Sequence, residues 1–123
     1  MSTLKVTNIQ ATGETASRAV SGVAAAWVNA NSDTVNESFN IASITDNGTG
    51  DFSPTFTNAM SNSNYVHLGT CKHGATDNND MRVLTVQDRN VTTTVCRIRR
   101  TFANGAGNEN DGIFVLGIQG DLA

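Results

Sequence analysis

The sequence predicts an all-β fold, either an antiparallel β-sandwich or a jelly-roll-like domain. Segments rich in apolar and β-branched residues recur roughly every 8 to 15 residues, and polar turns separate them. Asn, Ser and Thr make up roughly a third of the chain, and there is one proline. This composition is typical of short strands joined by many polar turns.

The clearest predicted element is a β-hairpin whose turn lies in residues 46–50. Residues 52–57 alternate strictly between apolar and polar, so one face of the strand is apolar. The turn contains Asp, Asn and two glycines, which tolerate the positive φ that tight connections require. Pro54 cannot donate a hydrogen bond, so its strand is expected to be an edge or to carry a bulge there. Four apolar side chains are expected to be largely buried: Phe39, Ile41, Phe52 and Phe56.

Residues 1–22 are expected to form an N-terminal strand or attachment segment, and residues 23–123 the β-sandwich domain. Residues 3–10 alternate in polarity and predict a strand without a local partner, which would lie against another subunit. Residues 15–20 predict at most one helical turn, because Gly22 interrupts the pattern.

Further strands are predicted after the hairpin. In the first of them, Val66 and Leu68 are expected to point inwards. The longest predicted strand is dense in β-branched residues and contains no strand-breaking residue. The predicted strands are residues 65–69, 81–87, 91–102 and 113–118.

Composition excludes several classes of protein. The net charge of −3 with 15% charged residues argues against nucleic-acid binding. No leader-like segment and no apolar run of about 18 residues is present, so neither export nor membrane insertion is expected. Cys71 and Cys96 are too few for a disulfide scaffold, and two reduced thiols or a single bridge both remain open.

The chain has no residue spacing that predicts catalysis, so no enzymatic activity, cofactor or metal is expected. The two histidines are His67 and His73, and no serine lies in a nucleophile turn. On a threefold axis, one histidine per chain would supply three metal ligands, which is kept as a lesser alternative. Turn capping is the first interpretation of the loop carboxylates, and a glycoside-cleaving pair is the other; they are Asp77, Asp80, Glu109 and Asp111.

Several segments in the first half share an unusual pattern at set spacings. They are Ala26-Trp27-Val28-Asn29, Glu37-Ser38-Phe39-Asn40, residues 43–52, Thr55-Phe56-Thr57-Asn58-Ala59-Met60 and Asn64-Tyr65-Val66. This pattern resembles a domain common in bacteriophage tail fibres. The opening residues 2–10 resemble the start of short phage fibre proteins, and Phe114-Val115-Leu116-Gly117 echoes the pattern more weakly.

The resemblance implies a virion structural or receptor-binding protein that forms a homotrimer and is not an enzyme. Its partners would be other virion tail proteins and a host surface polysaccharide or receptor. It would be assembled in the host cytoplasm and end in the virion tail. A non-adhesive decoration or adaptor protein and a glycan-cleaving fibre are the alternatives.

Receptor binding is expected in the loops at residues 72–80 and 104–112, which are long, polar and least like the family. The candidate binding residues are Lys72, His73, Asp77, Asn78, Asn79, Asp80, Asn104, Asn108, Glu109, Asn110 and Asp111.

Three arginines form the one concentration of charge. Arg97 and Arg99 share a strand face, and Arg100 points the other way. Salt bridges within or between subunits are one interpretation of all three. The other is contact with anionic groups of a host polysaccharide, because guanidinium groups match phosphate and carboxylate.

Overall fold

The structure is a computed structural model in which the described residues form β-strands and no helix. The described residues are 2, 4–9, 18–19, 24–72, 82–87, 91–102 and 111–123. Within them the strands are β1 (Asn8–Ile9), β2 (Arg18–Ala19), β3 (Ala24–Asn31), β4 (Thr34–Phe39), β5 (Ile41–Gly48), β6 (Asp51–Phe56), β7 (Val66–Cys71), β8 (Arg82–Val86), β9 (Ile98–Phe102) and β10 (Ile113–Gln119).

Eight of the strands in the described part of the chain form two four-stranded antiparallel sheets. The first sheet has the order β4-β3-β10-β7, and the second sheet has the order β5-β6-β9-β8. Among the described residues, the short strands β1 and β2 pair only with each other. The all-β antiparallel prediction is therefore confirmed, whereas the jelly-roll-like alternative stays a prediction.

The core lies between the two sheets. Phe114 of the first sheet stacks on Phe52 of the second, with ring centroids 5.5 Å apart and planes inclined by 22°. Many inward side chains of the central strands are almost fully buried, which gives a β-sandwich-like arrangement. The core consists of Ala25, Ala26, Val28, Ala30, Phe52, Phe56, Met60, Tyr65, Cys96, Ile98, Phe114, Leu116 and Ile118.

The hairpin prediction is confirmed. Strands β5 and β6 pair in antiparallel fashion from Ile41 opposite Phe56 to Gly48 opposite Asp51. Gly48 and Gly50 have φ values of 129° and 67°, where a side chain would be strained. The turn chemistry read from the sequence thus corresponds to the backbone of the turn.

Burial of the hairpin's apolar residues is confirmed in part. Phe52 and Phe56 are 0% and 5% exposed, and Ile41 is half-buried. Phe39 is 51% exposed, so its predicted burial is wrong. The reason is that Asn40, with φ of 56°, turns the chain from the first sheet into the second. Phe39 therefore ends β4 on the outer side of a different sheet from Ile41.

The expectation that Pro54 lies in an edge strand is wrong, because β6 lies between β5 and β9. The register shifts of this hairpin lie on β5, between Ile41 and Ser43 and between Asp46 and Gly48, on either side of the pair Ile44–Pro54. Cys96 N–H donates to the carbonyl oxygen of Pro54 at 3.1 Å, and the proline has no N–H to return the bond. The pairing with β9 is therefore interrupted at Pro54.

The predicted strand at residues 91–102 is shorter than expected, since β9 begins at Ile98. Thr92 forms a turn instead: its N–H donates to the Val95 carbonyl at 2.8 Å, and its hydroxyl accepts from Val95 N–H at 3.0 Å. A threonine side chain that bonds its neighbours' backbone competes with strand pairing.

The side chains of β7 alternate between the two sides of the sheet as predicted, but the residues expected to point inwards point outwards. Val66 and Leu68 are each 53% exposed on the outer side, so their inward orientation was predicted wrongly. His67, Gly69 and Cys71 point inwards. A Cβ at Gly69 would lie 2.5 Å from Leu84 Cδ2, so the side chain of Leu84 fills the space over this glycine.

The N-terminal expectations fare differently. The strand has a local partner after all, because Asn8–Ile9 pairs with Arg18–Ala19. The same pairing contradicts a helical turn at residues 18–19. Leu4 and Val6 are 85% and 47% exposed. The boundary between residues 22 and 23 stays a prediction.

We expect Phe56→Ala to lower the free energy of unfolding by ~3–5 kcal/mol, because it empties a packed core position. Phe56 is 5% exposed and meets the ring of Tyr65 edge-on at 5.5 Å. Thr45→Ala, on the exposed part of β5, is the control and is expected to change stability by less than about 0.5 kcal/mol. Urea unfolding measures both, and an unchanged midpoint for Phe56→Ala would contradict this core.

Candidate functional site

The two long polar loops leave the sandwich at the same end, which we call the loop end. Lys72 N–H donates to the Ile113 carbonyl at 3.0 Å, so β7 ends beside the start of β10. In the second sheet Arg82 pairs with Phe102, so β8 starts beside the end of β9. Residues 73–81 and 103–110 connect these neighbouring strand ends, so both loops depart from one surface of the molecule.

Arg100 joins the two sheets at the loop end. Its side chain points inwards from β9 and is 2% exposed. One guanidinium nitrogen, Nη1, donates to the carbonyl oxygen of Asp111 at 2.8 Å, and Nη2 donates to that of Lys72 at 3.5 Å. These carbonyls belong to the residues at which the two loops begin or end. Arg100 therefore holds the base of each loop, and its buried guanidinium is placed to stabilise the protein and not to bind a surface anion.

The backbone around Asp111 and Gly112 packs closely against this guanidinium. Gly112 has φ of 145°, and a Cβ there would lie 3.0 Å from Arg100 Cζ. The Asp111 carboxylate accepts from the N–H of Gly50 at 2.8 Å, which links the loop end to the β5–β6 turn. Ser32 N–H donates to the Gly112 carbonyl at 3.1 Å and adds the β3–β4 turn.

Of the predicted binding residues, the structure brings Lys72 and Asp111 together at the loop end, and both are exposed. The other predicted loop residues lie outside the described residues: His73, Asp77, Asn78, Asn79, Asp80, Asn104, Asn108, Glu109 and Asn110. Their assignment to receptor binding stays a prediction.

Arg97 and Arg99 lie on the outer side of the second sheet and form salt bridges to Asp51. Arg97 Nε donates to Oδ1 at 2.7 Å, its Nη2 donates to Oδ2 at 2.5 Å, and Arg99 Nη2 reaches Oδ2 at 3.3 Å. The hydrogen bond from Arg97 is the largest influence on the pKa of the Asp51 carboxyl, and it holds this pKa below its usual value although burial acts the other way. The structure thus contains the intramolecular salt bridges that were one interpretation of these arginines.

Asp51 is the residue of this cluster that sequence reasoning missed. Its carboxylate is 4% exposed, and its partners lie far along the chain on β9 and just before it. Strand alternation was the available signal, because it places Asp51 and Ser53 on the same outer side of β6.

The histidine and cysteine side chains of the described region do not assemble a metal site. Among the described residues, no three His, Cys, Asp or Glu side chains are close enough to hold an ion. His67 points into the sandwich beside Tyr65, with ring centroids 4.9 Å apart, so three copies of it would not meet on an external axis. His73, the other residue considered for such an axial metal, lies outside the described residues.

Both cysteines are free thiols, so the single bridge left open by the sequence is not formed. Burial raises the pKa of Cys96 to about 12. Burial also raises the pKa of Cys71, and the neighbouring Arg100 guanidinium acts in the opposite direction. Neither thiol has the lowered pKa of a catalytic nucleophile.

The fold and site together define a two-sheet β protein that presents two long polar loops from one end. Compared with known proteins, the chain matches no family model, no curated protein and no solved structure. In the described residues there is no helix of the length and hydropathy needed to cross a membrane. The likeness to tail-fibre domains therefore rests on the residue patterns themselves.

We expect the stability of the protein to decrease as the pH falls below about 6.5, in part because of His67. Burial lowers the pKa of His67 in the folded protein below its ordinary value of 6.5. Below about pH 6.5 the unfolded state therefore binds more protons than the folded state, and stability is lost as the pH falls. His67→Gln removes this titration and should lose less stability between about pH 7.5 and pH 5. Urea unfolding at several pH values tests the difference, and parallel curves for the two proteins would show that His67 is not linked to folding.

Proposed function

We propose that this chain is a bacteriophage virion protein of the tail-fibre type, which adheres to a host cell-surface glycan or protein through its loop end. The observation that carries the proposal is the common origin of the two long polar loops. Each loop is joined to a residue whose carbonyl oxygen accepts a hydrogen bond from Arg100, so recognition segments would stand on a hydrogen-bonded base. The tail-fibre resemblance supplies the biological setting, which is assembly in the host cytoplasm and a final location in the virion tail.

The chemistry of the loop end suits a hydroxyl-rich or charged surface ligand. Lys72 contributes a cation, Asp111 contributes a carboxylate, and the adjoining loop sequences are rich in Asn. Amide and charged side chains offer both donors and acceptors, which is what a polar glycan surface requires. Because the base is held by hydrogen bonds, less ordering would be needed when a ligand binds.

The proposal includes a homotrimer attached to other virion tail proteins. Closed rotational symmetry would place three loop ends on one side of the assembly. Several weak contacts made at once give avidity towards a repeating cell-surface polymer. This arrangement would let loops of modest individual affinity hold a virion on a cell.

A decoration or adaptor protein is the second candidate, and one observation favours it. The first sheet exposes large apolar residues on its outer side, including Phe39 and Leu68, as protein-contact surfaces do. Adhesion remains the better proposal because a purely structural role does not explain why two long polar loops leave the same end of the sandwich. No observation on the described residues favours a glycan-cleaving fibre, because Asp111 is the one candidate carboxylate among them and no second candidate stands beside it there.

We expect fluorescently labelled protein to adsorb to some members of a panel of bacterial strains and to lose adsorption when residues 73–80 and 104–110 are replaced by short Gly/Ser connections. This replacement keeps Lys72, Asp111 and Gly112, whose backbone packs on or bonds Arg100, so the fold should be retained. A control variant carries Asn62→Gly, in the connection at the opposite end.

Circular dichroism and melting temperature establish folding in each variant. Adsorption that survives the double replacement, in a folded protein, would place the binding surface elsewhere. Failure of the unaltered protein to adsorb to any strain would favour the adaptor role.

A further inference from the structure

The outer sides of the two sheets differ in character. The outer side of the second sheet is polar: Asp51 is paired with two arginines, and Asn47 donates to Ser53 at 2.8 Å. The outer side of the first sheet exposes large apolar side chains, which we call the apolar face. Its members and exposed fractions are Trp27 37%, Phe39 51%, Val66 53%, Leu68 53% and Val115 40%.

The apolar face is continuous across all four strands of its sheet. Phe39 pairs with Trp27, Trp27 with Gly117, and Gly117 with Leu68, so these residues form one row. A Cβ at Gly117 would have only the Leu68 carbonyl oxygen near it, at 3.7 Å. The glycine therefore leaves a shallow notch between the apolar side chains of Trp27 and Leu68, into which a partner's side chain can fit.

The size of this face matches one half of a protein interface. With about 200 Å² for a fully exposed large residue, the exposed fractions give roughly 450 Å² of apolar surface, within the range of the largest patches on monomers. A stable interface needs about 800 Å² per partner, of which a little more than half is apolar. The polar residues beside the row, Asn29, Thr70 and Gln119, supply the remainder as a rim.

Charge on the same side is arranged for pairing with a second copy. Among the described residues, the outward positions of this sheet carry two charged side chains, Glu37 on β4 and Lys72 directly after β7. The strands β4 and β7 are the two opposite edges of the sheet. When copies are placed with the β4 edge of one beside the β7 edge of the next, the negative residue of each meets the positive residue of its neighbour.

We propose that the apolar face binds another copy of this chain, with the β4 edge of one copy beside the β7 edge of the next and Glu37 facing Lys72 of that copy. The number of copies, three, rests on the proposed function. The choice of this face as the contact surface rests only on the residues named above. Three such contacts form a closed ring with threefold symmetry. In this ring the apolar faces point towards the symmetry axis. Apart from Lys72, the loop ends then remain free, since they lie at the ends of the strands and not on this face.

Multi-angle light scattering of the purified protein tests the interface. The unaltered protein should have a multiple of the monomer mass at micromolar concentration, and Leu68→Glu should raise the dissociation constant at least ~100-fold by placing an unpaired carboxylate in the contact. Because Leu68 is 53% exposed within one chain, this change should leave the melting of the isolated subunit intact. Thr45→Glu, an exposed change on the second sheet, is the matched control and should keep the assembled mass.

A charge exchange tests the edge arrangement. Glu37→Lys alone should weaken the assembly, and Glu37→Lys combined with Lys72→Glu should restore it. A monomeric unaltered protein, an assembly unaffected by Leu68→Glu, or an exchange that fails to restore the mass would overturn the proposal. An assembly that responds as expected but adsorbs to no strain would support this interface and contradict the adhesive function.

Discussion

The loop end depends on one buried guanidinium, that of Arg100. A buried charge is tolerated only when polar groups replace its water, and here carbonyl oxygens of Asp111 and Lys72 do so. The arginine belongs to the second sheet, and both carbonyls belong to residues just outside strands of the first sheet, so the bonds tie the sheets together where the apolar core ends. A side chain at position 112 would meet the Arg100 guanidinium, so glycine fits this position.

The sandwich separates three surfaces with different chemistry. The outer side of the second sheet is polar and its buried carboxylate, Asp51, is neutralised within the chain. The outer side of the first sheet is apolar around Trp27, and the loop end carries polar loops above Arg100. The proposed assembly on the apolar side and the proposed adhesion at the loop end share Lys72 and otherwise use different residues, because the strands that carry one surface end at the other. The proposed fibre-type role would need both functions in one small domain.

Sequence reasoning succeeded where the determinants are local. The hairpin follows from turn residues near Gly48 and from the alternation of β6, and the opposite orientations of Arg99 and Arg100 follow from the same alternation. It failed where distant residues decide. Leu68 points outwards because Gly69 must face Leu84 of the other sheet, and Phe39 is exposed because Asn40 turns the chain between sheets. The arrangement of the loop end could not be predicted from the sequence. Arg100 binds backbone carbonyls, which every residue has, so no residue type identifies its partners.

The most direct test of this account is hydrogen–deuterium exchange of Arg100→Met compared with the unaltered protein. Loss of the guanidinium should speed exchange selectively at amides of the loop end, such as those of Lys72 and Gly50, because their segments lose a shared anchor. The amide of Thr57, at the opposite end, should keep its protection. A uniform increase across both sheets, or unchanged exchange at the loop end, would contradict the claim that Arg100 organises the base of the two polar loops.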